Sequence, residues 1–493
     1  MGWQRAIERA IGSLRARSGR TGRGRTQERE PAGPRFTSPA SPSISVGMDL
    51  PESATPPADP DLASPADLAA REPGAALPAR SRQAAAHRPA GLAPGELLAG
   101  SSAIQTEPSP TGLRDNNGRR LIPVTVPLVP EFRELERGLR DVLNRRWLTN
   151  QGHYADQLTA RLMTEMQAPA LSLVSSGTQA VELMLRAGMP PGEVLVPSFS
   201  FPATWNLLCR DSRWKPVFVD IGSDYCMDPA AAERAITPRT SGILAVHTYG
   251  QPCHVDALEA LAQRHDLRLF FDAAHAFGVR IEGQPLAQRG DASAFSFHAT
   301  KVFNTVEGGA VAGTNSDLIA AVDRERNFGF GGPDGQASFG TNAKIDEYRC
   351  VHGLAVLPLV RAAIARRLEV AATYLTRLTP LEDRGCVLPR HLFEGTSWQP
   401  NGAYFPIRFP DPSGLTCDQA LQALQRVGVL PRRYFDDRPF RSQLYAPFLR
   451  AETTPRAAEF SKQVLCLPIH HELSRDDLEL ICGTLRALAQ STA

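Results

Sequence analysis

Short apolar runs alternate with stretches of helical periodicity through the middle of the chain. The runs are Leu171-Ser172-Leu173-Val174, Glu193-Val194-Leu195-Val196, Pro216-Val217-Phe218-Val219-Asp220, Ile243-Leu244-Ala245-Val246, Leu267-Arg268-Leu269-Phe270-Phe271, Ala294-Phe295-Ser296-Phe297 and Ala310-Val311-Ala312. Runs this short and this rich in Val, Leu, Ile and Phe read as strands buried on both faces, and the helical patterns between most of them supply the crossovers that parallel pairing needs. The pattern predicts an α/β fold with a mainly parallel, seven-stranded sheet covered on both sides. Before it, Phe132, Leu135, Leu139, Val142 and Leu143 share one helical face that ends at Trp147-Leu148-Thr149-Asn150. Beyond about Asn342 the pattern changes to a long helix through Val360 and Arg367, a strand Tyr404–Phe409 whose Pro406 suits an edge, and a last helix. That helix opens at Ser474, with Asp477 three positions on as a capping-box partner and Leu478, Ile481, Leu485 and Leu488 facing inward. The expected division is therefore a large unit over 121–345 and a smaller C-terminal α/β unit over 346–493, with no internal repeat.

Residues 1–120 break this pattern. They begin rich in Arg (Arg15, Arg17, Arg20, Arg23, Arg25) and continue in Pro, Ala, Ser and Gly, a composition that cannot bury enough apolar area to offset chain entropy. The segment reads as a disordered extension, and Met48 is a second candidate start. A transit peptide, or an interfacial helix on Trp3, Ile7 and Ile11, are the alternatives. The whole chain has 493 residues, 42% hydrophobic and 22% charged, and a formal net charge of +2. That balance gives no concentrated field for nucleic acid or an acidic membrane surface. Eight scattered cysteines without a Cys-x-x-Cys pair argue against a disulfide framework or structural zinc and suit a reducing cytosol. With no apolar run of about 18 residues, the expectation is a soluble, cytoplasmic protein without a metal.

Lys301 stands out by its company: it follows the apolar run ending at Phe297-His298-Ala299-Thr300 and precedes Glu307-Gly308-Gly309, while Phe270-Phe271-Asp272-Ala273-Ala274-His275 lies upstream. A lysine must shed its charge to attack a carbonyl, and partial burial allows that. Pyridoxal phosphate chemistry asks for such a lysine, and for an acid that keeps the pyridine nitrogen protonated so that the ring accepts electrons. Lys301 and Asp272 fit the two parts. A lysine considered alone is ordinarily a solvated loop residue; the strand before it and the acid upstream reverse that reading. Ser176-Gly177-Thr178 starts a helix, where free amides and the dipole suit a phosphate, although the same residues serve equally as an N-cap. The segment Pro197–Thr204 offers an aromatic for the cofactor ring, His275 a partner for its oxygen, and Ser296 a hydroxyl for the phosphate. Each of these, singly, is as readily structural. Gly329-Phe330-Gly331-Gly332-Pro333 lacks the order and setting of a dinucleotide site and reads as a flexible loop.

Together these segments resemble the DegT/DnrJ/EryC1/StrS family of sugar aminotransferases over nearly all of 121–493. The resemblance also rests on His247-Thr248-Tyr249-Gly250-Gln251-Pro252, Val217–Ile221 and Gly340-Thr341-Asn342. It implies a fold like aspartate aminotransferase, PLP fold type I. It implies that Lys301 tethers the cofactor and moves the proton, that Asp272 pairs with the ring nitrogen and that His275 lies near the ring oxygen. Phe201 would stack on the ring, and Gly177, Thr178 and Ser296 would hold the phosphate. Asn342 matches a residue that reaches the neighbouring subunit's phosphate, which implies a homodimer with shared active sites. Relatives with His in place of the lysine are dehydratases, so Lys301 implies a transaminase. Phe297–Thr305 is especially similar to the dTDP-4-amino-4,6-dideoxyglucose transaminases, which implies amination at C4 of a nucleotide-linked 4-keto-6-deoxy sugar with glutamate as donor. A 3-aminotransferase, a dehydratase and a cofactor-binding regulator are the other readings. Ala343-Lys344-Ile345-Asp346 departs from the family's pattern beside Asn342.

Overall fold

The computed structural model describes residues 113–491 apart from Asn117, 332–334 and 450–452, and the N-terminal extension lies outside the described residues. Seven strands form where the apolar runs predict them: β1 Ala170–Val174, β2 Gly192–Pro197, β3 Trp214–Val219, β4 Thr240–Val246, β5 Arg268–Asp272, β6 Ala292–Ser296 and β7 Gly309–Gly313. They make one sheet in the order β1-β7-β6-β5-β4-β2-β3. All neighbouring pairs are parallel except those of β7, which runs antiparallel to both β1 and β6. Successive residues enter opposite cores: Phe271 packs with Leu195, Ile243 and Phe295 on one face, and Phe270 with Val194, Leu244 and Val311 on the other. A strand apolar on both faces is buried on both.

Because six strands point the same way, their C-terminal ends and the segments that follow share one edge. The turn after β1, the segment Pro197–Thr204 after β2, His247 after β4 and Asp272 at the end of β5 all lie there. The exception, β7, needs no crossover helix; an antiparallel neighbour is reached by a simple loop. That loop carries Lys301 at the same edge.

A second apolar cluster joins Val370, Tyr374 and Leu375 with Phe405, Ile407, Leu465, Leu467, Ile481 and Leu485. Phe405–Arg408 pairs antiparallel with Val464–Leu467 in a two-stranded sheet, so the Pro406 strand has an edge as expected. The capping box at the last helix is formed: the Asp477 amide donates to Ser474 Oγ at 3.1 Å and the Ser474 amide to Asp477 Oδ2 at 3.0 Å. Asp477 is further gripped by the Arg120 guanidinium at 2.7 and 3.1 Å. The continuous helical stretch Glu347–Arg377 is long and apolar enough, by length and composition, to cross a membrane. Its Cys350, Val356, Val360 and Ala363 belong to the sheet's core and Val370 and Tyr374 to the second cluster, so its apolar faces are used within the protein. Phe330 and Gln336 bridge antiparallel, while Gly332 and Pro333 of the glycine-rich run read above as a loop lie outside the described residues.

Helix His153–Glu165 has a glycine at its N-cap and no cap from its own residues. The buried Glu347 carboxylate fills that place, accepting from the Tyr154 amide at 2.8 Å and the Ala155 amide at 3.1 Å. Glu347→Ala leaves both amides without a partner and lowers stability by about 2 kcal/mol, read as a lower urea midpoint with an unchanged slope; an unshifted midpoint contradicts the assignment.

Candidate active site

The site assembles from loop chemistry at the C-terminal edge. Asp272, 6% exposed, ends β5. Its Oδ2 accepts from Thr204 Oγ1 at 2.7 Å and its Oδ1 from the Ala274 amide at 3.0 Å, and Ser200 Oγ lies 2.8 Å from the same threonine hydroxyl. Burial pushes the Asp272 carboxyl above its usual range, while Thr204, the Ala274 amide and the positive Lys301 pull it back.

Lys301 sits in the hairpin-like connection between β6 and β7. Its base is closed by Phe297 N to Gly308 O at 2.8 Å, Ala299 N to Val306 O at 2.8 Å and Thr305 N to Phe297 O at 2.9 Å, and the Lys301 amide itself donates to His298 O at 2.9 Å. Asn304 ties this loop to two other segments. Its Nδ2 donates to Leu128 O at 2.9 Å, and its Oδ1 lies 3.0 Å from His352 Nε2. The surrounding protein lowers the Lys301 amine to a pKa of about 8; Asp272 opposes this, but burial dominates. An amine near neutrality with a buried acid opposite can capture a carbonyl and move a proton.

The helix Gly177–Gly188 starts beside it. Ser176 Oγ accepts from the Gln179 amide at 3.2 Å, and the first helical amides, those of Gly177 and Thr178, have no acceptor within the helix. Gly177 is required by packing: a Cβ there would come within 2.6 Å of Ser296 Cβ and 2.8 Å of Ser296 Oγ. The glycine thus brings a helix N-terminus against the Ser296 hydroxyl, a cradle for a dianion.

His275 completes the cleft, which is lined by Ala274, His275, Phe277, Thr300, Lys301, Ala403 and Tyr404 among others. Burial and the nearby Lys301 hold its imidazole well below the ordinary histidine range, so it is neutral. Its Nε2 lies 3.4 Å from the Tyr404 hydroxyl and its Nδ1 has no partner among the described residues. A carbonyl-capturing amine, a buried acid, an imidazole and a phosphate cradle fit a flat heteroaromatic that carries a basic nitrogen, a carbonyl and a phosphate.

Of the residues predicted from sequence, Asp272, His275, Ser296, Lys301 and Gly177 come together in this way. Thr178 and Phe201 remain exposed at the rim, Phe201 at 58% exposure just before the Pro202–Thr204 turn; the other phenylalanine of that segment, Phe199, is core. Asn342 is exposed, pairs through its backbone with Asn327, and is followed by Ala343, whose carbonyl accepts from the Ser175 amide at 2.8 Å. Sequence reasoning did not single out Thr204, Asn304, Asn401 or Tyr404. Thr204 carried a signal as the small polar residue closing an aromatic turn after a strand; the others carried none.

Residues 131–486 match the model of the DegT/DnrJ/EryC1/StrS aminotransferase family. The chain is 34% identical over 366 residues to the dTDP-4-amino-4,6-dideoxy-D-glucose transaminase of Shigella dysenteriae, covering 74% of this chain and 98% of that protein. It is 33% identical over 326 residues to the dTDP-3-amino-3,4,6-trideoxy-alpha-D-glucose transaminase of Streptomyces venezuelae, covering 64% of this chain and 82% of that one. Among solved structures, DesI in the presence of its TDP-sugar product superposes with a TM-score of 0.70 at 32% identity, covering 75% of this chain and 93% of that chain.

The depressed amine makes a direct forecast. In the cofactor-free protein, the rate at which an amine-selective reagent labels Lys301, followed by peptide mapping, rises through a midpoint near pH 8; a midpoint at the ordinary lysine value of about 10.4 removes the physical basis for its reactivity.

Proposed function

The chain belongs to the DegT/DnrJ/EryC1/StrS aminotransferase family, whose cofactor is pyridoxal phosphate, and from that premise we propose that it aminates C4 of a nucleotide-linked 4-keto-6-deoxy sugar. The favoured conversion is dTDP-4-keto-6-deoxyglucose to dTDP-4-amino-4,6-dideoxyglucose, with glutamate as donor. The observation that carries amine transfer is the Lys301 amine, lowered to about 8, beside the buried Asp272 carboxyl, and the similarity to the Shigella dysenteriae transaminase named for a 4-amino sugar supports C4. When bound, pyridoxal phosphate supplies an electron sink for the pair left at the substrate carbon.

The chain's own residues do the rest. Asp272, held by Thr204 and the Ala274 amide, keeps the proton on the ring nitrogen. Lys301 would tether the cofactor, and its freed amine would take the proton from the amino donor's carbon and, in the second half-reaction, return one to the sugar carbon. His275 would meet the ring oxygen, Phe201 would cover the ring, and Gly177, Thr178 and Ser296 would take the phosphate. Residues 121–345 would carry the cofactor and 346–493 the second wall of the cleft. Asn342 would reach across a homodimer. The exposed apolar side chains nearby, Phe328 at 43%, Phe330 at 53% and Phe339 at 87%, support such a covered face. The cytoplasm is the compartment this chemistry and the scattered free cysteines suit.

Amination at C3 is the second reading, favoured by the Streptomyces venezuelae relative named for a 3-amino sugar. Incubating the holoenzyme with glutamate and a panel of 3-keto and 4-keto nucleotide sugars, with mass detection and position assignment by NMR, separates the two: a 4-amino product is expected, and a 3-amino product alone would replace the proposal. Lys301→Ala should abolish amine transfer altogether. Asp272→Asn should retain the fold and lose about 10²–10³ in kcat; full activity of either variant would overturn its assigned role.

A further inference from the structure

We propose that Tyr404, contributed by the C-terminal part of the chain, is a positioning residue that fixes the tautomer of His275, leaving the imidazole proton on Nδ1. The inference deepens the reading above, since His275 is the group assigned there to the cofactor's ring oxygen.

A neutral imidazole carries one N–H, and which nitrogen bears it is set by the bond the other makes. Tyr404 is 8% exposed, and its Oη lies 3.4 Å from Nε2. The phenol has no other hydrogen-bond partner among the described residues, so donating to Nε2 is the arrangement that uses its proton, and burial, which raises the phenol far above its ordinary range, keeps that proton in place. Nε2 therefore accepts, and the proton resides on Nδ1, the buried nitrogen that has no partner among the described residues. A buried donor without an acceptor is costly, and a ring oxygen bearing negative charge is the acceptor that would relieve it. The opposite tautomer would turn a lone pair toward that oxygen.

The ring has little freedom to escape this arrangement. Asn401 Nδ2 donates to His275 O at 2.8 Å and to Phe277 O at 3.1 Å, clamping the backbone on either side of Ala276. Gly250, at φ +88°, closes from the other side; a Cβ there would sit 2.8 Å from His275 O and 2.7 Å from Asn401 Oδ1. Phe435 lies parallel to the imidazole, with centroids 6.1 Å apart and planes 11° from each other. Tyr404 itself packs on His275 with ring centroids 4.7 Å apart.

The test begins with the cofactor-free full chain labelled with ring-¹⁵N histidine, the His275 signals being those lost in His275→Gln. The wild type is expected to show Nδ1 protonated, and Tyr404→Phe to move toward the Nε2–H form. A wild type with its proton on Nε2, or a Tyr404→Phe variant with unchanged shifts, overturns the proposal. In the holoenzyme, Tyr404→Phe should shift the pH midpoint of the cofactor's visible absorbance, and should have no such effect in a His275→Gln background, where no tautomer exists to fix. An equal shift in both backgrounds means that Tyr404 acts by another route. The nitrogen spectrum does not depend on turnover: a protein inactive toward every keto sugar yet protonated on Nδ1 sinks the proposed reaction and leaves this assignment standing.

Discussion

An amine and a carboxyl must share one poorly solvated cleft without collapsing into an ion pair, and the arrangement around Asp272 and Lys301 follows from that constraint. A bare buried carboxylate would draw the lysine to it and hold it charged. Asp272 is instead satisfied by the Thr204 hydroxyl and the Ala274 amide, so its negative charge is partly met before Lys301 contributes. Burial then outweighs the attraction and the amine falls to about 8. Burial, working against the attraction of Asp272, is thus what frees the base.

The sheet makes this geometry possible. Four parallel pairings collect loop chemistry at one edge, but continued parallel pairing would have placed the segment after β6 into a crossover helix. The reversed β7 spares it that, and the lysine sits in a short closed loop adjoining the strand that ends in Asp272. The helix start at Gly177 is brought against Ser296 because β1 and β6 flank the same β7, with Gly309 opposite both Val174 and Ser296.

The sheet was legible because each strand advertises itself locally: buried strands need continuous apolar residues, and Leu269-Phe270-Phe271 or Val194-Leu195-Val196 have no other economical reading. Lys301 and Asp272 were legible for a related reason, as polar residues placed where an apolar run stops. Tyr404 and Asn401 were not, because nothing near them in sequence reports what lies across the cleft, and the turn that Thr204 closes marks its place without naming its partner. Thr204 meets Asp272 across 68 positions and Asn401 meets His275 across 126, separations bridged only once the strand order is known. Asn342 and Phe201 are the complementary case: the resemblance assigns both to the site, and in this chain both are exposed.

Asn304 ties the reactive loop to segments far from it in both directions along the chain. Its acceptor, the Leu128 carbonyl, belongs to a segment that is itself held by late residues: Ile122-Pro123 pairs with Val429-Leu430, and the Ile469 amide donates to Val124 O at 3.1 Å. Contacts of such long sequence separation form last, since loop-closure entropy must be met first. On the ribosome, the loop around Lys301 therefore emerges long before the strap that braces it can dock. The depressed amine rests on burial, so it belongs to the folded chain and not to the growing one.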